Sequence, residues 1–280
     1  MERNGFFAGM AQILVEGGQP QANLDRAVDA IRAAAAQDCR VVVLPECLDL
    51  GWTDPSARDL ALPIPGPHVE RLAEGARAHR VYVAAGLVER SDDRLFNAAV
   101  LLDPAGRILL HYRKINELDI ALDLYTIGDR LGVAKTELGV IGLNICADNF
   151  GDSSAIAHTL ARMGAQIILS PSAWAVPADY DPTRQPYGDL WRESYGKLTS
   201  LYDITIIGVS NVGPIDGGPW RGRKCIGCSL AMGPGAEILA SGPYGESAAA
   251  LIRVAVQPRS PIGRGTEIST ALESRGFRGS

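Results

Sequence analysis

The sequence lacks the features that mark several large protein classes. Its apolar stretches fall well short of the roughly 20 residues that a membrane-spanning helix needs, and no basic region followed by a long apolar run opens the chain. No block of like charges occurs, and 27 basic residues against 32 acidic ones give a formal charge of −5. We therefore expect a cytoplasmic protein that binds neither nucleic acid nor membranes.

Cysteine and histidine are scarce. The five cysteines are Cys39, Cys47, Cys146, Cys225 and Cys228, an odd number that argues against a disulfide framework. Cys225 and Cys228 form a C-x-x-C pair, but a zinc site would need a second pair or nearby histidines, and all four histidines precede residue 160. We expect these two thiols to be packing residues, with redox or metal binding as alternatives, and we predict no metal and no cofactor.

What the 280 residues do contain is a regular alternation of strand and helix patterns. Strands are predicted at residues 40–45, 81–88, 140–145, 166–170 and 204–210, and helices at 69–78, 155–162 and 189–201. A first helix is predicted from apolar residues at positions 24, 27, 28, 31 and 34, with Asn23 as its N-cap. This repetition predicts a layered α/β fold.

Two hairpins interrupt the alternation. Residues 98–103 turn at 104–106 into 108–112, and residues 228–232 turn at 233–235 into 238–240, both with proline and glycine in the turn. Each hairpin follows a strand–helix unit, so we predict two similar halves, with two sheets back to back and helices outside.

The remaining segments do not divide the chain. Residues 177–186 and 213–223 are predicted loops, and neither is a linker between domains. We predict a single domain over residues 1–280, with a core at about 8–256 and a tail at 257–280.

Three strongly apolar strands each deliver a reactive side chain at their exit, where α/β proteins collect functional groups. These side chains are Glu46, Lys114 and Cys146. A cysteine attacks a carbonyl or nitrile carbon well only as a thiolate, and a neighbouring carboxylate can take the thiol proton. A neighbouring ammonium favours the thiolate and can also stabilise the oxyanion that the attack produces. Taken singly, each residue also fits a plain interpretation as a buried thiol, a loop carboxylate or a surface lysine.

The motifs around these residues resemble those of the nitrilase superfamily, the carbon–nitrogen hydrolases. The matching segments are VVVLPE at 41–46, HYRK at 111–114, IGLNICAD at 141–148, GAQIILSPSAW at 164–174 and SNVG at 210–213. The resemblance implies a four-layer α-β-β-α sandwich of two mixed sheets, paired into a homodimer or a larger homo-oligomer.

The resemblance also implies roles for the three residues. Glu46 is expected as general base, Lys114 as stabiliser of the tetrahedral intermediate and Cys146 as nucleophile, with the backbone N–H of Ala147 completing the oxyanion site. Attack on a small-molecule substrate would give a thioester and release ammonia or an amine, and water would then free the acid.

One departure concerns a second glutamate that many family members carry seven residues before a glycine. The corresponding glycine in this sequence is Gly128, and the residue seven positions before it is Ala121 instead of glutamate. Glu117 lies four residues earlier, on the same face if the segment is helical, and is our candidate replacement. Asp119 and Asp123 are weaker candidates.

Other departures bear on the substrate. Nitrilases tend to follow the cysteine with Trp-Glu, whereas Ala147 and Asp148 resemble the amidase pattern, and no arginine follows to grip an amino-acid carboxylate. We expect hydrolysis of a small amide or related ureide, with nitrile hydrolysis or a non-catalytic binding role as alternatives.

Four aromatic residues are predicted to line a pocket, with core or dimer contacts as the alternative: Trp174, Tyr180, Tyr187 and Trp191.

Overall fold

Two six-stranded sheets form the centre of the protein, which a computed structural model describes over residues 5–265 and 273–276. The first sheet consists of β1 (Phe6–Gln12), β2 (Cys39–Val43), β3 (Tyr82–Ser91), β4 (Arg94–Leu102), β5 (Ile108–Arg113) and β15 (Ala250–Val256). Its spatial order is β15-β1-β2-β3-β4-β5. In the predicted tail, residues 266–272 and 277–280 lie outside the described residues.

The second sheet is built from the middle and later part of the chain. It consists of β6 (Val133–Thr136), β7 (Gly139–Leu143), β8 (Ile167–Ser172), β10 (Thr205–Ser210), β13 (Leu230–Gly233) and β14 (Glu237–Ser241), in the order β14-β13-β10-β8-β7-β6. A small third sheet joins β9 (Ala175–Val176), β11 (Val212–Pro214) and β12 (Lys224–Ile226). The predicted loop 213–223 is therefore largely the connection between β11 and β12.

The two large sheets share one topology. In the first, β1, β2 and β3 are parallel and the hairpin β4–β5 is antiparallel. In the second, β7, β8 and β10 are parallel and the hairpin β13–β14 is antiparallel. Each sheet ends in one further antiparallel strand, β15 beside β1 and β6 beside β7. The predicted hairpins and the two similar halves are thus confirmed.

Helices cover the outer faces of both sheets. They are α1 (Pro20–Ala35), α3 (Pro67–His79), α4 (Ala155–Arg162) and α5 (Asp189–Tyr202), and a short helix, α2 (Ala57–Leu60), lies between β2 and α3 in the chain. Helices α1 and α3 pack on each other and on the first sheet, and α4 and α5 on each other, with α5 against the second sheet. The result is the expected four-layer α-β-β-α sandwich. Within the described residues, no helix combines the length and hydropathy of a membrane span.

Strand β2 shows how the sequence builds these layers. Because side chains alternate along a strand, Val41 and Val43 face the second sheet and pack in one cluster with its Ile141. Val42 points the other way and packs with Leu72 of α3. The run of consecutive valines is thus a strand buried on both faces.

The predicted N-cap of the first helix is wrong. Helix α1 begins at Pro20 with Gln19 in the cap position, because proline is favoured at a first helical position, where its missing N–H costs nothing. Asn23 lies inside the helix and is fully buried. Its amide nitrogen donates to the carbonyls of Glu16, at 2.7 Å, and Asp49, at 2.9 Å, so its polarity ties the helix to two loops.

Candidate active site

Three strand exits meet in one cavity. Glu46 follows β2 by three residues, Lys114 directly follows β5, and Cys146 follows β7 by three residues. Their side chains line a cavity of about 230 Å³. Glu46 and Lys114 are 1% exposed and Cys146 is 9% exposed. The structure therefore brings together the three residues that the sequence singled out.

The Glu46 carboxylate is held by two donors. Lys114 Nζ donates to its Oε1 at 2.7 Å, and Asn97 Nδ2 donates to the same oxygen at 2.6 Å. The other oxygen, Oε2, is buried without a hydrogen-bond partner among the described residues. The backbone N–H of Glu46 donates to Ser172 O of the second sheet at 3.2 Å. One carboxylate oxygen is thus fixed and the other is left to accept a proton.

Cys146 sits in a strained turn. Its φ is +44°, in the left-handed region that non-glycine residues rarely adopt, and it begins a 3-10 helix over Cys146–Asn149. Burial and the charge of Glu46 raise the pKa of its thiol, whereas Lys114 and a backbone hydrogen bond from Ala173 lower it by less. The Lys114 ammonium therefore offsets only part of this shift, and the pKa of the thiol stays above its ordinary value.

Asp148 ties the cysteine turn to the lysine loop. Its Oδ2 accepts from Tyr112 Oη at 2.7 Å and from the backbone N–H of Ile145 at 2.8 Å, and its Oδ1 accepts from the backbone N–H of Asn116 at 2.8 Å. Burial raises the pKa of Asp148 to about 6, while Lys114 opposes this. One buried carboxylate therefore sets the position of both reactive segments.

Glu117 reaches the same ammonium, although not for the predicted reason. The segment is not an α-helix, since only a 3-10 turn at Asp119–Ala121 follows. Even so, Glu117 Oε2 lies 3.7 Å from Lys114 Nζ, and its side chain is fully buried. Burial raises the pKa of Glu117 to about 7, against the opposing charge of Lys114. The structure thus puts a second carboxylate beside the lysine.

We expect Glu117→Gln to change how stability depends on pH. Between the ordinary pKa of 4.5 and the folded value of about 7, the folded protein keeps a proton that the unfolded chain releases. The wild-type free energy of unfolding therefore falls as pH rises through this window. Glutamine cannot titrate, so from pH 5 to pH 8 the variant should gain up to roughly 3 kcal/mol relative to wild type.

Urea unfolding of both proteins at pH 5 and pH 8 measures this gain. The control is Glu193→Gln, because Glu193 is an exposed carboxylate paired with Lys197 and its replacement should produce no such gain. A difference between Glu117→Gln and wild type that is equal at both pH values would contradict the raised pKa.

Aromatic side chains form much of the cavity wall. Of the four predicted pocket residues, Trp174, Tyr187 and Trp191 line the cavity, as does Ala147. Tyr180 does not line it: its ring contacts Tyr187, with centroids 6.3 Å apart, and its hydroxyl donates to the carbonyl of Gln185.

Several lining residues were missed by the sequence analysis. They are Trp52, Leu118, Phe150, Ala173, Ala175, Leu190 and Trp220. Trp220 lies in the loop between β11 and β12 and packs edge-on against Trp52, with ring centroids 4.8 Å apart. The loop thus contributes to the cavity wall, and its lone tryptophan among glycines was the available signal.

Neither cysteine of the C-x-x-C pair lines this cavity, although Cys225 packs in one cluster with Trp52 of its wall. Cys225 is buried, Cys228 is half-buried with a φ of +60°, and both are free thiols. In the described part of the chain, no group of three or more His, Cys, Asp or Glu side chains is arranged to hold a metal ion.

Sequence comparisons point to one family. A family model described as carbon–nitrogen hydrolase matches residues 8–258. A protein of Pyrococcus abyssi named nitrilase is 34% identical over 227 residues, which are 79% of this chain and 79% of that protein. The omega-amidase of Homo sapiens is 30% identical over 163 residues, 54% of this chain and 58% of the human protein.

Solved structures share the fold at low sequence identity. An amidase from Nesterenkonia sp. superposes with a TM-score of 0.77 at 20% identity, over 99% of both chains. A carbon–nitrogen hydrolase from Helicobacter pylori gives a TM-score of 0.79 at 22% identity, over 91% of this chain and 90% of that one. A variant of the Nesterenkonia amidase, with a TM-score of 0.76 at 20% identity over 92% of this chain and 93% of that one, carries the acetamide moiety of fluoroacetamide on its active-site cysteine.

Proposed function

The chain belongs to the carbon–nitrogen hydrolase family, and we propose that it hydrolyses small amides through a thioester on Cys146. The observation that carries this proposal is the Lys114–Glu46 ion pair, 2.7 Å from Nζ to Oε1, which lines the same buried cavity as the Cys146 thiol. This set contains a nucleophile, a base and a cation for the developing oxyanion.

In the first half-reaction, the amide carbonyl carbon is attacked by Cys146 Sγ. The thiol proton passes to Glu46, whose Oε2 has no other partner among the described residues. The carbonyl oxygen becomes an oxyanion that Lys114 Nζ and the backbone N–H of Ala147 stabilise. Glu46 then protonates the leaving nitrogen, the C–N bond breaks, and ammonia departs from a thioester.

In the second half-reaction, water hydrolyses the thioester. Glu46 removes a proton from the water, the oxygen attacks the acyl carbon, and the carbon–sulfur bond breaks. The proton returns to the sulfur and the carboxylic acid leaves. Glu117 keeps Lys114 in place, because it gives the buried ammonium a second acidic neighbour at 3.7 Å.

Nitrile hydrolysis is the second candidate, favoured by the name of the Pyrococcus abyssi relative. Amide and nitrile substrates that carry the same group on the reacting carbon separate the two, with ammonia release as the readout. The amide reaction is our first choice, because Asp148 follows the cysteine at the acidic position in an amidase-like Cys-Ala-Asp. Homo-oligomeric assembly and a cytoplasmic location stay predictions.

The proposal is tested by labelling with fluoroacetamide. We expect the Glu46→Gln variant, which lacks the base for hydrolysing this small amide, to gain the mass of one acetamide group, with peptide mapping assigning it to Cys146. The control adds Cys39→Ala to this variant, which removes a buried thiol far along β2 from the cavity, and should label equally. Labelling at another cysteine, with Cys146 unmodified, would refute Cys146 as the nucleophile.

A further inference from the structure

The cavity beside Cys146 is lined mostly by apolar and aromatic side chains. Its charged lining side chains are Glu46 and Lys114, which are bonded to each other. Apart from the Cys146 thiol, the other lining side chains are alanine, leucine, phenylalanine, tyrosine and tryptophan. The part of the substrate beyond the reacting amide therefore meets hydrocarbon and aromatic rings.

The aromatic rings are organised in contact pairs. Trp174 and Trp191 stack with centroids 4.6 Å apart at an interplanar angle of 18°, and Phe150 lies 5.3 Å from Trp191. Trp52 and Trp220 form a second pair. Rings held in this way are preorganised surfaces for another flat apolar group.

The positively charged side chains near the cavity already have other partners. Lys114 is paired with two carboxylates and is needed at the reacting carbonyl. Arg192 pairs with Asp189 at 3.0 Å, and Arg223 stacks over Trp220 at 4.4 Å from the ring centroid; neither arginine lines the cavity. A carboxylate on the acyl group would lose its hydration and meet no free cation among the lining residues, because the unpaired indole N–H groups of Trp52 and Trp174 are neutral donors.

Volume limits the size of the acyl group. An engineered apolar cavity of about 150 Å³ is known to hold benzene, so a cavity of about 230 Å³ holds about nine non-hydrogen atoms. It reaches the surface at Leu190, which is 51% exposed. A single ring with a short linker to the amide fits this space.

We propose that the substrates are primary amides with an uncharged, apolar and preferably aromatic acyl group, and that monoamides of dicarboxylic acids are excluded. This inference rests on the proposed amide hydrolysis at Cys146. It assigns selectivity to the aromatic wall and to the absence of a free cation among the lining residues.

The test compares three amides with equal numbers of non-hydrogen atoms: phenylacetamide, 6-methylheptanamide and the monoamide of adipic acid. We expect kcat/KM to be about tenfold higher for phenylacetamide than for 6-methylheptanamide. For the adipic acid monoamide, whose carboxylate replaces an isopropyl group of the same shape, we expect it to be lower by about 100-fold or more.

Two variants of α5 sharpen the test. Leu190→Arg puts a cation at the cavity rim and should raise kcat/KM for the adipic acid monoamide relative to 6-methylheptanamide by about tenfold. Leu201→Arg is the control, since Leu201 is a similarly exposed leucine, at 50%, that does not line the cavity, and it should leave this ratio unchanged.

The outcomes separate the inference from the function on which it rests. Wild-type protein that hydrolyses the adipic acid monoamide as fast as 6-methylheptanamide overturns the inference and leaves amide hydrolysis intact. Protein that hydrolyses none of the three amides, and whose Glu46→Gln variant is not labelled by fluoroacetamide, overturns both.

Discussion

Replacing Cys146 with alanine is expected to lower kcat/KM for amide hydrolysis by roughly 10⁴-fold or more, because no other thiol lines the cavity among the described residues. Removing the proposed nucleophile leaves Glu46 and Lys114 in place, so residual turnover would need direct attack by water. Ammonia release from phenylacetamide, followed at saturating and at limiting substrate, measures the loss.

The fold should tolerate this change. Alanine is small enough for the site, although its positive φ of +44° remains a strained conformation. Near-native circular dichroism with abolished turnover is the expected pairing. Cys39→Ala is the matched control, because it removes a buried thiol from β2 and should keep wild-type turnover. A Cys146→Ala protein with wild-type kcat/KM would remove the nucleophile from the mechanism.

Replacing Lys114 with methionine is expected to damage both stability and turnover. Although burial alone would lower the pKa of Lys114, the charges of Glu46 and Glu117 raise it, so the ammonium stays charged. Methionine would leave these two buried carboxylates without their cation, at a cost of about 3–5 kcal/mol at pH 8. The cost should shrink at pH 5, where a carboxylate can take up a proton instead.

Turnover should fall by about 10³-fold at either pH, because the oxyanion loses its charged donor. Urea unfolding at both pH values, together with ammonia release, measures the two effects. Lys197→Met is the control: this exposed lysine pairs with Glu193 on α5, and its loss should change stability by less than about 0.5 kcal/mol. Equal stability of Lys114→Met and wild type at pH 8 would contradict an ion pair at the site.

Much of the site was predictable because it lies at strand exits. The strands before Glu46, Lys114 and Cys146 are apolar runs bounded by polar residues, and functional side chains of α/β proteins collect at the carboxyl ends of strands. Hydrophobic periodicity therefore fixed where each functional residue enters the fold, and the family motifs supplied the layer order.

Other parts were not predictable, since they depend on contacts between distant segments. Asn97 lies in the middle of β4, where nothing local distinguishes a residue that donates to Glu46, 51 positions away. The contact of Glu117 with Lys114 depends on a loop path that helical periodicity misread. Trp52 and Trp220 meet only because two loops from different halves of the chain converge.

Asn23 illustrates a competition between local signals. Asparagine before an apolar helical pattern is a good N-cap signal, but Pro20 starts the helix one turn earlier. The asparagine then finds its hydrogen-bond partners in Glu16 and Asp49. Only the tertiary structure decides which of the two signals prevails.

The carboxylate and ammonium are attached to one sheet and the sulfur to the other, and this division has a consequence for the enzyme as a whole. Slippage of about 1 Å between reacting groups can cost roughly 100-fold in rate. Each sheet could keep all its strands while the two slid past each other by this distance, and the rate would already fall by about that factor. The rate of turnover therefore depends on how accurately the two sheets are positioned relative to each other.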